Sequence, residues 1–378
     1  MSDMSSNAAG VEPIKIGFLT DYIAGSAAID DKTIYTQPME LVFGKGFESG
    51  VIHRPIELVS RTVQGLPRGN VRAVIDAFGE LVDEGCLAVI GPGISDNAIP
   101  LRPEIERRFR VPAISVCGSE EWLGKWTFVL PNGSMTDEPI FWAQMLKKHG
   151  HSTVGLLIEQ AYIGFNYADN FRRAASAEGI TILAEETVSQ TGQDVSEVIA
   201  RIHRTGAEAL VHCGFGLGHA GINAALDELG WDPPRYIGTA FETAFNEHLW
   251  DATRGWIGLE QYDEGNQVAQ QFLDDYETAY GHRPAFYAPL LFRDLATVVL
   301  HGLAGAKPLS PRGVRESLEQ LKMLPAACGS AGTRISFGRF MHRGWVGSRY
   351  LVARKLDADG KELGQYWKST LVDRFGDE

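Results

Sequence analysis

The sequence predicts an α/β protein built from two doubly wound parallel sheets. Short apolar segments alternate with amphipathic stretches from residue 14 to 116, and a second series of the same kind runs from 137 to 238. Alternating strands and helices form parallel sheets that helices cover on both faces. The length of 378 residues gives each of two lobes enough chain to bury its own core.

The first series opens with an apolar segment at 14–19, which has the pattern of a buried parallel strand and ends at Thr20-Asp21. The segment 70–84 carries apolar residues at helical spacing and ends at Gly85, which predicts an amphipathic helix. On the same criteria the first series contains strands at 14–19, 56–59, 87–90 and 113–116, and helices at 35–48, 70–84 and 97–109.

Glycines punctuate the second series, because Gly179 and Gly230 each follow a helical pattern. Its predicted strands are 154–158, 180–186, 209–213 and 235–238, and its predicted helices are 137–149, 166–178, 194–204 and 219–229. After Trp256 the pattern changes to long helices at 267–280, 286–305 and 311–321, followed by strands at 333–340, 350–356 and 362–367. Long helices after two sheets need a surface to pack on, and the flank of the first lobe is expected to provide it.

Charge and composition exclude several function classes. With 35 Lys and Arg against 48 Asp and Glu, the formal net charge is −13, which argues against a nucleic-acid partner. The polar start of the chain lacks a secretory signal and no apolar stretch is long enough to span a membrane, so the chain as written is expected in the cytoplasm. The cysteines lack metal-ligand spacing and are expected to be buried small hydrophobes, although two disulfides stay open: Cys86, Cys117, Cys213 and Cys328.

One motif suggests a cofactor. The run Gly216-Leu-Gly218-His-Ala-Gly221 follows a predicted strand and opens a helix, as a dinucleotide-binding loop does. It lies in the middle of the chain, however, and His219 would crowd a pyrophosphate, so a tight strand-to-helix turn is favoured. No nucleophile elbow, zinc motif or Walker loop is present. The sequence therefore predicts a protein without enzymatic activity or cofactor, with a dinucleotide-dependent enzyme as the remote alternative.

Ligands of open α/β sheets bind beyond the carboxyl ends of the strands. The loops at those positions are 21–25, which contains Tyr22, and 91–97, 117–122, 160–162, 215–216 and 240–242. Ser95 and Ser119 each stand in a Gly-rich turn just before a predicted helix. Such a helix start can hold a carboxylate through its N–H groups, and a serine there can equally serve as an N-cap. The two interpretations are compatible.

Several segments, taken together, resemble one family. They are 14–19 (IKIGFL), 50–59 (GVIHRPIELV), 87–92 (LAVIGP), 111–115 (VPAIS), 164–171 (GFNYADNF), 206–211 (GAEALV) and 335–338 (ISFG). Their order and spacing resemble the leucine/isoleucine/valine-binding proteins, which are type I solute-binding proteins of ABC importers for branched-chain amino acids and related compounds. The resemblance implies two lobes joined by three crossovers, near residues 133, 262 and 340. Lobe 1 would comprise 14–133 and 262–340, lobe 2 would comprise 134–261 and 341–378, and 1–13 would be a disordered tail.

The resemblance also implies a ligand site between the lobes. The family holds the carboxylate of its amino acid at positions that match Ser95 and Ser119, near the backbone of Cys117, and the ammonium at a position that matches Glu242. The aromatic residues expected to close over the ligand are Tyr162, Phe215 and Tyr287, with Tyr22 as a further ligand-binding candidate. Asp96 departs from the family because it places an acid where a second hydroxyl is common. An amino acid, an amide, a urea-like compound or an aromatic acid therefore stays open as the ligand.

Two roles are compatible with this resemblance. The family norm is a periplasmic or cell-surface receptor that delivers its ligand to the membrane subunits of an ABC transporter. Some relatives of the amide-receptor type keep the fold in the cytoplasm as a ligand sensor, which is the alternative role. In both cases the ligand bridges the two lobes and favours their closed arrangement.

Overall fold

The first sheet is built from the short apolar segments of the first series. The structure is a computed structural model, which describes residues 11–21, 32–189, 195–216, 218–239, 253–284, 288–345, 347–348, 350–356 and 363–368. The strands are β1 (Ile14–Thr20), β2 (Ile56–Thr62), β3 (Val89–Ile90), β4 (Ala113–Ser115) and β5 (Thr127–Val129). All five run parallel in the order β2-β1-β3-β4-β5.

The helices of the first series are α1 (Gln37–Glu48), α2 (Val71–Asp83) and α3 (Ser95–Glu104). Helix α2 forms where its pattern predicts, because Val74, Phe78 and Leu81 fall on one stripe and are fully buried. Its first turn is capped by the Asn70 side chain, which accepts the N–H of Ala73 at 3.0 Å. Helix α3 continues through a π-helical turn, Ile105–Phe109.

Among the described residues, seven strands form the second sheet. In chain order they are β6 (Thr153–Glu159), β7 (Thr181–Val188), β8 (Ala209–Cys213), β9 (Arg235–Ile237), β10 (Trp256–Glu260), β13 (Val352–Leu356) and β14 (Leu363–Lys368). Their order in the sheet is β14-β13-β10-β9-β8-β6-β7. Strands β6 to β10 are parallel, whereas β13 and β14, which lie in two of the segments predicted as strands, pair antiparallel. The associated helices are α4 (Asp137–Lys148), α5 (Tyr162–Glu178), α6 (Val195–Arg204) and α7 (His219–Leu229).

Helices α8 (Gln267–Tyr280), α9 (Ala288–Gly305) and α10 (Pro311–Leu318) follow β10 of the second sheet in sequence but return to the first sheet. The ring of Phe292 in α9 packs edge-on against Phe18 of β1, with ring centroids 5.9 Å apart. Helix α9 also lies so close to α1 that a Cβ added at Gly46 would sit 2.5 Å from Leu300 Cδ2. The flank of the first sheet therefore provides the packing surface, as the sequence predicts.

One backbone carbonyl accepts hydrogen bonds from two of the segments that pass between the two sheets. The carbonyl oxygen of Pro131, which follows β5, accepts the Nε2–H of Gln261 at 2.6 Å and the Nε1–H of Trp345 at 3.4 Å. Near the last of these segments, the N–H of Gly344 donates to the carbonyl of Val129 at 2.8 Å and extends the edge of the first sheet. Three distant parts of the chain are thus joined at one point.

The fold class predicted from the sequence is confirmed, but three details differ. The sequence does not predict strands β5 and β10, because β5 has only three residues and 256–260 marks only the point where the pattern changes. The predicted strand 333–340 is wrong. Only β12 (Arg334–Ile335) pairs there, with β11 (Leu324–Pro325), and the chain then turns where Gly338 and Met341 exchange backbone hydrogen bonds.

None of the described helices combines the length and apolar character that a membrane span requires.

Candidate functional site

The turn after β3 is held by a buried polar cluster that the sequence analysis did not single out. The Asp21 carboxylate, at the end of β1, accepts the N–H groups of Gly93 at 2.7 Å and Ile94 at 3.1 Å, and the Nδ2–H of Asn97 at 2.8 Å. Burial raises the pKa of Asp21, and these donors oppose that rise. An acid directly after a buried strand was the available signal. The cluster fixes the turn that carries Ser95 and Asp96.

Ser95 and Cys117 lie in contact behind this turn. The Cys117 thiol lies 3.2 Å from Ser95 Oγ, and the Cys117 N–H donates to Ser115 Oγ at 2.8 Å. Burial raises the pKa of the Cys117 thiol to about 11, so the sulfur stays protonated near neutral pH. All four cysteines are buried thiols and none forms a disulfide. Ser95 is the first residue of α3 and its N-cap position is Ile94, so the N-cap interpretation is wrong for Ser95.

Ser119 is an N-cap and also a contact between the two sheets. Its Oγ accepts the N–H of Glu121 at 3.2 Å, which caps the 3₁₀ turn Glu120–Trp122. The same oxygen lies 3.0 Å from the hydroxyl of Tyr162, the first residue of α5. Both interpretations of this serine, cap and site residue, are therefore compatible with the geometry.

Tyr162 reaches from the second sheet to the first through its hydroxyl. That hydroxyl donates to Glu121 Oε1 at 2.8 Å and accepts the Nδ2–H of Asn166 at 3.1 Å. Burial raises the pKa of Tyr162 to about 12, so the hydroxyl remains a donor. Helix α5 begins four residues earlier than predicted because Gly164 permits it: a Cβ there would lie 2.2 Å from the carbonyl oxygen of Glu159.

Asp96 lies against the start of the same helix. Burial raises the pKa of its carboxyl, the backbone N–H of Tyr162 opposes that rise, and the negative charge of Glu159 adds to it. One carboxylate oxygen, Oδ2, is buried without a hydrogen-bond partner among the described residues. Asp96 therefore meets the positive end of α5 rather than solvent. The acid that departs from the family pattern lies at the contact between the two sheets.

Phe215 is held on the second sheet by Glu159, the last residue of β6. The Glu159 carboxylate accepts the N–H of Phe215 at 2.9 Å and that of Gly216 at 2.8 Å. Gly216, with φ +79, begins the glycine motif that suggested a dinucleotide. Two of the backbone donors at its start are thus bound to the protein's own carboxylate. This geometry favours the tight-turn interpretation over a phosphate site, and among the described residues no cluster of His, Cys, Asp or Glu could hold a metal ion.

The geometry brings together four of the eight candidate site residues, and a fifth lies on the second sheet. Ser95, Cys117, Ser119 and Tyr162 form one connected cluster of contacts. Phe215 is joined to that region through Glu159, whose charge acts on Asp96. The remaining candidates lie outside the described residues: Tyr22, Glu242 and Tyr287.

Replacing Gly118 by alanine is expected to lower the free energy of unfolding by about 3 kcal/mol. A Cβ at Gly118 would sit 1.7 Å from the carbonyl oxygen of Gly133. Both glycines lie in backbone segments that join the cluster to the second sheet. Urea denaturation measures the effect. Gly44→Ala is the matched control: nothing lies within 4 Å of its Cβ position in α1, so it should raise stability by about 0.5–1 kcal/mol. Equal effects of the two substitutions would contradict the close approach.

Known proteins similar to this chain share its fold. A family model described as periplasmic binding protein matches residues 13–348. No curated protein is similar enough to match. The structure is similar to a type 1 periplasmic binding protein from Bordetella pertussis Tohama I, with a TM-score of 0.80 and 17% identity, covering 94% of this chain and 100% of that one.

Two further neighbours were solved with bound amino acids. An ABC transporter substrate-binding protein from Desulfitobacterium hafniense, in complex with Leu, has a TM-score of 0.75 and 18% identity over 94% of this chain and 100% of that one. A branched chain amino acid ABC transporter protein from Thermus thermophilus, with bound valine, has a TM-score of 0.73 and 16% identity over 96% and 99%. At such identities the likeness shows the fold. The matched family and these neighbours are solute-binding proteins rather than enzymes.

Proposed function

The chain belongs to the periplasmic binding protein family, and we propose that it captures a small amino-acid- or amide-like molecule between two closing lobes as the substrate-binding component of an ABC transporter. The proposed lobes are 14–133 with 262–340, and 134–261 with 341–378. The observation that carries the proposal is the contact of Tyr162 with Ser119 and Glu121, which joins side chains at the strand ends of both sheets. Strand ends are where α/β sheets bind ligands.

The proposed ligand presents an oxygen to hydroxyl groups of the cleft and N–H groups to its acidic side chains. Ser95 and Ser119 supply hydroxyl groups that suit a carboxylate or amide oxygen. The buried Oδ2 of Asp96 has no donor among the described residues, and a ligand N–H group would satisfy it. Glu242 is proposed as the partner of an ammonium group, with Phe215, Tyr287 and Tyr22 beside the ligand. The bound Leu and valine of the structural neighbours support a zwitterion as the ligand. The acidic side chains of Asp96 and Glu242 would also accept the N–H groups of an amide or a urea-like compound.

Ligand capture and closure form one equilibrium. A ligand that contacts both lobes binds the closed arrangement better than the open one, so it shifts the population toward closure by its differential affinity. The contacts of Tyr162 and Asp96 with the opposite lobe would form in the closed arrangement alone. These contacts contribute part of the free energy that favours closure, and the contacts of the ligand with both lobes contribute the rest.

A thermal-shift panel tests the binding role. It contains leucine, isoleucine, valine, acetamide, urea and benzoate. A ligand at 100 times its Kd adds about 2.7 kcal/mol to the free energy of unfolding and raises Tm. We expect at least one compound to raise Tm in a concentration-dependent way. A panel without any shift, repeated with all twenty amino acids, would contradict the proposed function. Co-purification with transporter membrane subunits would distinguish an importer component from a ligand sensor, which binds its ligand equally well.

Replacing Tyr162 by phenylalanine is expected to weaken binding of the compound identified by the panel about tenfold. The change removes a hydroxyl that contacts Ser119 and Glu121 across the cleft, and each such hydrogen bond contributes about 1 kcal/mol. Isothermal titration calorimetry measures the loss. Tyr280→Phe is the matched control, since that hydroxyl donates to the carbonyl of Gln37 far from the cleft. Equal affinities of both variants and the unmodified protein would exclude Tyr162 from the closing contact.

A further inference from the structure

The three most exposed large apolar side chains among the described residues lie at one edge of the first sheet. They are Phe340, 93% exposed, Met323, 64% exposed, and Met341, 52% exposed, and together they form what we call the apolar turn surface. Exposed apolar side chains that stand singly are ordinary, whereas a group of them marks a site of interaction. The segment that carries two of them runs beside β5, where the N–H of Val129 donates to the carbonyl of His342 at 2.9 Å.

Phe340 lies at the tip of a tight turn that is firmly attached to the first sheet. The N–H of Gly338 donates to the carbonyl of Met341 at 2.8 Å, and the N–H of Met341 donates back at 3.0 Å. Phe337, just before the turn, is buried and packs edge-on against Phe128 of β5, with ring centroids 5.3 Å apart. Because the turn is closed by hydrogen bonds and anchored by a buried ring, it holds the Phe340 side chain out toward solvent.

Met323 belongs to the neighbouring segment, which is joined to the turn by hydrogen bonds. Its N–H donates to Ser336 Oγ at 2.8 Å, and the carbonyl of Leu321 accepts the N–H of Phe337 at 2.9 Å. The backbone of Met323 is left-handed, with φ +57, a conformation that favours glycine over residues with a Cβ. The backbone therefore favours glycine here, although the residue is a methionine with an exposed side chain.

The sequence around the apolar turn surface is basic, although the whole chain has a formal net charge of −13. Residues 320–356 contain seven Lys and Arg but neither Asp nor Glu. The Arg339 guanidinium lies 5.5 Å from the centre of the Phe340 ring. The acid that precedes this stretch, Glu319, is mostly buried and lies 3.8 Å from Arg315. Three of the cations are exposed and lie on the same two segments as the apolar turn surface: Lys322, Arg334 and Arg339.

We propose that the apolar turn surface docks the protein on an anionic lipid bilayer. Its three side chains enter the boundary between the headgroups and the acyl chains, where exposed apolar groups leave water. Lys322, Arg334 and Arg339 then lie against the lipid phosphates, and each cation near the bilayer adds to the attraction. The charge of this stretch, opposite in sign to that of the whole chain, supports an anionic partner.

The size of the surface favours a bilayer over a second protein. A stable protein interface takes about 20–30 residues from each partner, far more than three side chains around a turn. Lipids, in contrast, rearrange around a single inserted ring. Only charges within about 10 Å of a bilayer act on it strongly at moderate salt, so the basic stretch faces the lipid and repulsion turns the acidic remainder of the chain away. The proposal is independent of the ligand that the cleft binds.

Sedimentation of the ligand-free protein with lipid vesicles tests the proposal. Vesicles of phosphatidylcholine alone are compared with vesicles of phosphatidylcholine and phosphatidylglycerol in a ratio of three to one. We expect binding to the anionic vesicles to be at least about tenfold stronger at about 0.1 M salt, where the Debye length is about 10 Å. Raising the salt to about 1 M shortens that length to about 3 Å and should remove most of the difference.

Phe340→Ala should weaken binding to the anionic vesicles about tenfold, because it removes the ring that inserts. Met323→Gly should weaken binding severalfold and leave Tm unchanged or higher, since φ +57 suits glycine, so its loss of binding cannot result from unfolding. Arg339→Gln should weaken binding about fivefold. Phe165→Ala is the matched control: Phe165 is 51% exposed on α5 beside the second sheet, and this variant should bind as the unmodified protein does.

Three results would overturn the proposal. Sedimentation that is absent with anionic vesicles, or equal with both kinds of vesicle, would exclude an anionic bilayer as the partner. Unchanged binding by Phe340→Ala and Met323→Gly would exclude the apolar turn surface from the contact. A dimer that Phe340→Ala dissociates, measured by light scattering, would assign the surface to a second copy of the chain instead. The vesicle measurement needs no ligand, so a thermal-shift panel without any shift would sink the proposed function and leave lipid docking standing.

Discussion

Replacing Arg343 by methionine is expected to lower the free energy of unfolding by about 3–5 kcal/mol. The Arg343 guanidinium is buried where the chain passes between the two sheets. It donates to Ser134 Oγ at 2.8 Å and to the carboxylates of Glu120 and Asp137, while its Nε–H donates to the carbonyl of Trp345 at 2.8 Å. Methionine fills similar space but leaves the partly buried Asp137 without a cation. Burial already raises the pKa of Asp137, so water cannot replace the charge stabilisation that the guanidinium provides.

Urea denaturation with an unchanged m-value measures this effect. Arg312→Met is the control, because Arg312 is 79% exposed and pairs with Glu316 one turn along α10; its removal should cost less than about 1 kcal/mol. If Arg343→Met also costs less than that, this side chain does not hold the segments of Glu120 and Asp137 to its own.

Replacing Glu138 by glutamine is expected to remove a large pH dependence of stability. The Glu138 carboxyl is fully buried in the first turn of α4, where it accepts the Tyr167 hydroxyl at 2.7 Å, the Thr239 N–H at 3.2 Å and the Thr239 hydroxyl. Burial raises its pKa to about 8, against 4.5 for the ordinary group. The folded protein therefore keeps this proton where the unfolded chain has lost it. The contribution is complete below pH 4.5 and is lost as the pH rises to about 8, at up to about 1.4 kcal/mol per pH unit.

Urea denaturation between pH 6.5 and pH 8 isolates this contribution, because the buried His219 destabilises the folded state only below about pH 6.5. The unmodified protein should lose stability over that range and Glu138→Gln should lose much less. Glu197→Gln, at a side chain 92% exposed, should keep the full slope. Parallel slopes for all three proteins would show that Glu138 is already ionised at pH 6.5.

The helices could be located from the sequence because the apolar residues that show helical spacing are the ones that the fold buries. In α2, the spacing of Val74, Phe78 and Leu81 predicted the helix to within a residue at each end. Strand β5 could not be predicted in this way. Its three residues are extended because β4 lies beside them, with the Ala113 N–H donating to the Trp126 carbonyl at 2.9 Å. A strand of three residues is too short to show an alternating pattern of its own.

The candidate site was predictable only in part. The rule that ligands bind at strand ends, with the family resemblance, pointed to Ser95, Ser119 and Tyr162, which the structure brings together. Glu159 was missed although it directly follows an apolar strand, because its importance depends on the N–H groups of a loop more than fifty residues away. Arg343 was missed for the same reason, since its carboxylate partners, Glu120 and Asp137, lie more than two hundred residues away in the chain.

The most direct test of the central claim is small-angle X-ray scattering of the protein with and without the panel compound that raises Tm. If two lobes close on a ligand, the radius of gyration falls on saturation, and Tyr162→Phe needs a higher concentration of the compound for the same change. A bound compound that leaves the radius of gyration unchanged would contradict closure between the lobes.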